Sequence, residues 1–245
     1  MLTNQTLSTL RQMKLYGMAD GLEHQLEHPA TYDLPFEERL AVLVDRELAV
    51  RDTRRLERLL RAAKLRQPAC LEDLDYRGKR SLDRRQIAGL ASCEWIRAHQ
   101  HLLITGATGT GKTFLACAFG RAAARVGLSV FYTRTSRLLE ELHIAHATGT
   151  FASKLQHLAR IDLVILDDYG HAKLQQSERL DLLEVLEDRY GTRSTLVASQ
   201  LPTSSWHEVV GSPTLGDAVT DRLLSNAHRI DLTGPSKRPP LPPTP

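Results

Sequence analysis

The chain has 245 residues, 42% of them hydrophobic, with a formal charge of +3. That length allows one or two domains with a full core, and no apolar run nears the roughly 20 residues that span a bilayer, so no membrane-spanning helix is expected. So small a net charge argues nothing about nucleic acid; only its distribution can.

The three cysteines, at 70, 93 and 117, have no metal-ligand spacing. With an odd count and no signal peptide they predict a reducing cytoplasm. The first third reads as helical. Leu7, Leu10, Met18, Leu22 and Leu26 recur at helical spacing, and Pro29 stops that helix. Asp33 is the expected cap of a second helix, with Pro35 in its first turn and an end near Arg66, before Pro68. Along it stand Arg51, Arg54, Arg55, Arg58, Arg61, Lys64 and Arg66, against only Asp52 and Glu57. Leu56, Leu59, Leu60 and Ala63 share another face, so the helix buries its leucines and presents arginines outward. Guanidinium groups arrayed this way suit the phosphates of a duplex, though a solvated charged face has the same pattern. A second cluster comprises Arg77, Lys79, Arg80, Arg84 and Arg85. No base-reading motif is visible, so the expectation is backbone binding of double-stranded DNA with little sequence preference.

A linker or a short turn of helix follows over residues 70–82, and then a helix over 83–96. From there the pattern alternates: a strand at Leu102–Thr105, a helix from Thr113, a strand at Ser129–Thr133, a helical stretch over 135–159, a strand at Leu163–Leu166, a helix over 176–190 and a strand at Ser194–Ser199. That alternation predicts a parallel α/β sheet. The expected organisation is a small helical domain over 1–75, an α/β domain over 76–234 and a Pro-rich tail over 235–245 that is disordered or polyproline-like.

The chemistry concentrates at two strand ends. Gly106-Ala107-Thr108-Gly109-Thr110-Gly111-Lys112-Thr113 is a full G-x-x-x-x-G-K-[ST] loop between a buried strand and a helix. Its glycines bare backbone N–H groups at a helix N-terminus, a cradle for phosphates. Lys112 is expected to reach the β- and γ-phosphates of ATP, and the Thr113 hydroxyl to bind Mg²⁺, with Phe114 closing the cofactor-binding run. In the helix that follows, Phe114, Leu115, Ala118, Ala122 and Val126 fall near one face. The strand at 163–166 ends in Asp167 and Asp168. Asp167 is expected to act through the Mg²⁺ shell, and Asp168 to orient or deprotonate a water near the γ-phosphate.

Taken together, "GATGTGKTFLACAFG", "LVILDDYG", "TLVASQLPTSSW" and "DAVTDRLLSNAHRIDLTG" resemble IstB-type helper ATPases of IS21-family transposons and their DnaC-type helicase-loader relatives. The leader stretches "LRQMKLYGMADGLE" and "FEERLAVLVDRELAVRDTRRLERLLRAAKL" resemble the same family, so the likeness runs over nearly the whole chain. The resemblance implies an AAA+ P-loop NTPase, a parallel sheet flanked by helices behind a helical N-terminal domain. It implies that Ser199 and Gln200 lie where a sensor side chain meets the γ-phosphate or the attacking water, with a loop cap as the plain alternative. It implies that Arg222 is an arginine finger reaching a neighbour's nucleotide, with a surface ion pair as the plain alternative. Arg238 falls at a second-sensor position, and little chain follows it, so the usual helical lid is expected to be absent. Asp168 stands where many AAA+ enzymes carry Glu, one methylene longer. Relatives in the initiator and loader clade carry an added helix before the Asp167 strand, where Arg134, Arg137 and Lys154 would contact nucleic acid. Leu138, Leu139, Leu142, Leu155 and Leu158 in that stretch also need burial. His143, His146 and His157 have no carboxylate to complete a metal site.

The function this implies is an ATP-dependent DNA-binding helper of transposition. It would form a homo-oligomer on duplex DNA with ATP sites between subunits, recruit a cognate transposase and dismantle on hydrolysis. A loader for a replicative helicase is the nearest alternative. A small-molecule kinase would need a lid and an acceptor pocket that the sequence does not show. A nucleotide-gated scaffold with little turnover would fit the shorter Asp168.

Overall fold

The computed structural model describes residues 2–76, 82–211 and 213–236. The chain forms two compact units, divided between Arg58 and Leu59.

The first unit holds α1 (Leu2–Gln12), α2 (Tyr16–Glu27) and the start of α3 (Phe36–Ala63). Where the leucine spacing predicts one helix there are two, because Lys14 turns into the left-handed region at φ +61°. The buried side of α2 is also not the leucine side. It comprises Gly17, Ala19, Gly21 and Gln25, while Leu26 is exposed. The cause is close approach of backbones: a Cβ at Gly17 would lie 2.6 Å from the carbonyl oxygen of Arg46 on α3. Glu47, also on α3 and 7% exposed, accepts the N–H groups of Gly17 (2.8 Å) and Met18 (3.3 Å). It thus satisfies the first donors of α2 from a neighbouring helix. Its other oxygen accepts from Arg51 Nε at 2.7 Å. Asp33 does not cap α3. It lies in a short 3₁₀ turn, and α3 opens at Phe36 with Glu37 and Glu38 in its first turn. The helix stops at Ala63 rather than Arg66, since Lys64 adopts φ +51°.

The second unit begins earlier than residue 76. Ala63 and Ala69 are fully buried, and Leu65, Leu71, Leu74 and Tyr76 pack against the same core, so this stretch is part of the α/β unit, with a short helical turn at Leu71–Asp73 rather than a linker. Then come α4 (Arg84–Ala91) and α5 (Glu94–Arg97), one predicted helix broken at Cys93 with φ +59°. The alternating part follows in order: β1 (His101–Gly106), α6 (Lys112–Arg125), β2 (Val130–Arg134), α7 (Thr135–Ala147), α8 (Phe151–Arg160), β3 (Leu163–Tyr169), α9 (Gln176–Arg189), β4 (Ser194–Ser199), α10 (Trp206–Val210), α11 (Pro213–Leu224) and β5 (Ala227–Leu232). Gly149, with φ +69°, divides the predicted helix over 135–159 into α7 and α8. The strands are all parallel in the order β2-β3-β4-β1-β5.

Alternate residues of the strands face opposite layers. Leu102, Ile104, Ile165 and Leu196 pack with α6, while Leu103, Val164, Leu166 and Val197 pack with α7, α8, α9 and α11. On α6 the predicted face is rotated. Leu115, Ala118, Phe119 and Ala123 are buried, Phe114 and Ala122 are half-buried, and Val126 is exposed. Leu138, Leu139, Leu142, Leu155 and Leu158 are all buried.

Candidate nucleotide-binding site

Parallel strands bring their C-terminal ends to one edge, where a crevice forms. Here the ends of β1, β3 and β4 supply the chemistry. After β1 the loop turns through positive φ at Gly106 (+146°), Gly109 (+84°) and Gly111 (+101°). At Gly106 the requirement is steric as well, since a Cβ would meet the Leu232 carbonyl oxygen of β5 at 2.3 Å. Lys112 opens α6 and is 7% exposed. Its Nζ donates to the carbonyl oxygens of Gly106 (2.7 Å) and Ala107 (2.9 Å), so the ammonium lies within the loop.

At the end of β3, Asp167 is fully buried. Its Oδ2 accepts from Thr113 Oγ1 and from the Tyr132 hydroxyl, each at 2.7 Å. Its Oδ1 accepts the Asp168 N–H at 2.9 Å. These donors are all neutral. A buried carboxylate held only by neutral donors is costly unless a cation completes it, and Asp167 with Thr113 is a hard-oxygen pair of the kind divalent cations take. Burial, followed by the hydrogen bond and charge of Asp167, pushes the Tyr132 phenol well above its usual range. Asp168 adopts φ +56°, and the pairing of β3 with β4 slips between Leu166 and Tyr169. This bulge re-aims one side chain: Asp167 stays in the core, and Asp168 faces a cavity of about 460 Å³. The Asp168 carboxylate lies 3.6 Å from Arg134 Nε and 3.9 Å from an Arg66 terminal nitrogen.

After β4, Gln200 Oε1 accepts from Thr108 Oγ1 at 2.7 Å, which ties the end of β4 to the glycine-rich loop. Ser199 is a loop cap. It donates to the Tyr169 carbonyl (2.7 Å) and accepts the Leu201 N–H (3.1 Å). Trp206, fully buried, donates its indole N–H to the Leu201 carbonyl at 3.1 Å and so fixes the segment carrying Gln200. The cavity is lined by residues 108–115 together with Asp168, Gln200, Leu232, Arg66, Gln67, Asp73, Leu74, Asp75 and Leu82. It therefore collects Lys112, Thr113, Phe114, Asp168 and Gln200 in one place.

Arg222 is not part of that lining. On α11, its guanidinium pairs with Glu187 of α9 at 2.7 Å and lies over the Tyr190 ring at 5.8 Å. The basic residues are also partly engaged. Arg51 pairs with Glu47, Arg54 stacks on Tyr16 with 4.3 Å to the ring centroid, and Arg137 and Lys154 both converge on Glu141. Arg55, Arg58, Arg61 and Lys64 are exposed, and Lys64 lies 5.9 Å over the Phe131 ring. His146 pairs with Asp181 at 2.9 Å and stacks on Phe151, and the described residues contain no cluster of three metal-ligating side chains. Arg77, Lys79, Arg80, Arg238 and most of the predicted Pro-rich tail lie outside the described residues.

Sequence patterns miss several polar residues that hold the sheet together, Tyr132 beside the site and Arg189 and His101 at the opposite ends of the strands. Tyr132 is hidden inside a strand that reads as apolar. Arg189, 1% exposed, donates to the carbonyls of Leu158, Ile161 and Ser194 and pins α8, β3 and β4 together. His101, 4% exposed, accepts the Thr195 N–H at 3.0 Å, which requires an unprotonated ring nitrogen. Burial, then the nearby Arg189 charge, lowers its pKa to about 4.

The comparisons agree with this geometry. A family model of IstB-like ATP binding proteins matches residues 8–240. An ATP-binding protein of insertion sequence IS1162 from Pseudomonas fluorescens is 56% identical over 84% of this chain and 89% of its own. The insertion-sequence ATP-binding protein y4pL of Sinorhizobium fredii is 47% identical over 97% of each chain. Among solved structures, the DnaC helicase loader superposes with a TM-score of 0.57 at 19% identity, covering 67% of this chain and 97% of that one. At that identity the likeness concerns the fold. Among the described residues no helix is long and apolar enough to cross a membrane.

Proposed function

The chain belongs to the IstB-like ATP binding protein family, and from that premise we propose that it is a DNA-stimulated ATPase that assembles on duplex DNA and assists the transposase of an insertion sequence. The observation that carries the reading is the Thr113–Asp167 hydrogen bond at the phosphate loop, with Asp168 turned into the same cavity. The triphosphate takes the loop N–H groups and Lys112, which exchanges its two carbonyl acceptors for phosphate oxygens. The far larger charge of the phosphates makes that exchange favourable. Leu74, Leu82, Phe114 and Leu232 give the same cavity apolar wall for a base. Thr113 and Asp167 would hold Mg²⁺, which would neutralise charge on the phosphates. Asp168 accepts a proton from the attacking water, and Gln200 orients that water.

ATP sites completed by Arg222 of an adjacent subunit make hydrolysis depend on assembly; Arg222 then leaves Glu187 for the neighbour's phosphates. The exposed arginines of α3 bind duplex backbone. A helicase-loader role is supported by fold likeness alone, whereas the insertion-sequence relatives are similar in sequence across the chain. The test is steady-state ATP hydrolysis with and without duplex DNA. Stimulation by duplexes of unrelated sequence is the expected result. No turnover under either condition would overturn the hydrolytic part, and turnover indifferent to DNA would overturn the coupling.

A further inference from the structure

Two guanidiniums approach Asp168, and they are not equivalent. Arg134, at the end of β2, is not among the residues that line the cavity; Arg66 is. Arg66 therefore faces the phosphate loop, Asp168 and Gln200 across one shared space. At 3.9 Å its pairing with Asp168 is an ion pair without a hydrogen bond. Its position is nevertheless built. A Cβ at Gly120 of α6 would lie 2.9 Å from the neighbouring Leu65 side chain, and Ala63 and Ala69 on either side are fully buried. The segment that bears Arg66 is thus packed against the P-loop helix, while its half-exposed guanidinium presents a planar fork of donors that suits a phosphate.

We propose that Arg66 reads the terminal phosphate of a bound nucleotide from within the same subunit: it pairs with Asp168 when that phosphate is absent and turns to it when ATP binds. The inference rests on the nucleotide-site reading above and adds a specificity it did not contain, preference for a triphosphate over a diphosphate. The exchange also frees Asp168 from one neutralising cation at the moment its carboxylate is needed. After hydrolysis and phosphate loss, Arg66 returns to Asp168, which lowers the hold on ADP relative to ATP.

The test is titration of the full chain with ADP and with a non-hydrolysable ATP analogue, both with Mg²⁺, for wild type, Arg66→Ala, Arg66→Gln and Arg66→Lys. Losing a charge-assisted phosphate contact should weaken the triphosphate analogue by about tenfold to a hundredfold. ADP affinity should change by less than about twofold, and Lys should recover part of the loss because it keeps the charge without the fork. Gln keeps most of the packing, so it stands in if the Ala variant does not fold. Equal weakening of both nucleotides would mean that Arg66 only holds the segment in place, and unchanged affinities would mean that it does not reach the phosphate; either overturns the proposal. If the wild-type chain bound neither nucleotide, the nucleotide-site reading would fail first, and Arg66 with it. Binding by wild type without discrimination by the variants would fail Arg66 alone.

Discussion

The two units bury different things. In the α/β unit, large apolar side chains from five strands fill both sheet faces, and several buried polar groups pair closely: Thr113 and Tyr132 on Asp167, Thr195 on His101, four acceptors on Arg189. In the helical unit the close contact is made by glycine and alanine, the cap of α2 is borrowed from Glu47 of α3, and Phe36, Leu40, Val44 and Leu48 remain exposed. A core that over-determines its geometry can hold catalytic side chains in place. A unit joined by small residues and exposing both apolar and basic side chains is built to present surface. The division of labour proposed here, chemistry in one unit and duplex contact in the other, follows that contrast.

The contrast is tested first where the largest effect is expected. Asp168→Asn should slow hydrolysis by up to about 10⁴-fold, the upper range for loss of a general base, while Mg·ATP binding persists because Thr113 and Asp167 are untouched. Single-turnover rates beside equilibrium binding decide it, and wild-type turnover would remove Asp168 from the mechanism. Arg222→Ala should cost on the order of 10³ in assembly-dependent hydrolysis. Mixing it with Lys112→Ala should restore activity, since one interface type then carries both intact halves; well-mixed oligomers without recovery would argue against a shared site.

His101 sharpens the claim that the α/β unit is rigidly specified. Its folded pKa of about 4 lies below the usual 6.5. The unfolded chain therefore binds the proton more readily, and this contribution is complete above about pH 6.5 and is lost as pH falls toward 4. The shift corresponds to about 3 kcal/mol. Urea midpoints measured from pH 7 to pH 4 should fall, and His101→Gln should flatten that dependence. A midpoint equally pH-dependent in the variant would place the acid sensitivity elsewhere.

The smallest effect concerns the other unit. Replacing Arg54, Arg55 and Arg58 by Ala should reduce the log–log salt slope of duplex binding by up to about three, similarly for unrelated sequences. Identical slopes would make the stripe a solvated or partner-docking face.

How much of this could be read from sequence also differs between the units. The phosphate loop is legible because its glycines are demanded by the backbone itself, as the Gly106 contact with Leu232 shows. The Asp167–Asp168 pair is legible as a strand end, but which carboxylate points inward depends on a bulge that no periodicity reveals. The fifth strand, "AHRIDL", is not legible because its burial alternates only over its last residues, and α10 because five residues are too few to show a helical period. In the leader, leucine spacing reveals helix but not which side of α2 is buried. Backbone proximity, not side-chain size, decides its packing there, and Gly17 and Gly21 look like helix breakers until Arg46 and Leu43 are seen beside them.

The central claim is that the edge formed by β1, β3 and β4 holds a triphosphate, and one titration tests it most directly. Labelled ATP should bind the wild-type chain, and Lys112→Ala should weaken that binding by about tenfold or more, the value of a charge-assisted phosphate contact, with the fold confirmed by an unchanged circular dichroism spectrum. Equal affinity in the folded variant would contradict the account, because Lys112 would then serve only its two loop carbonyls.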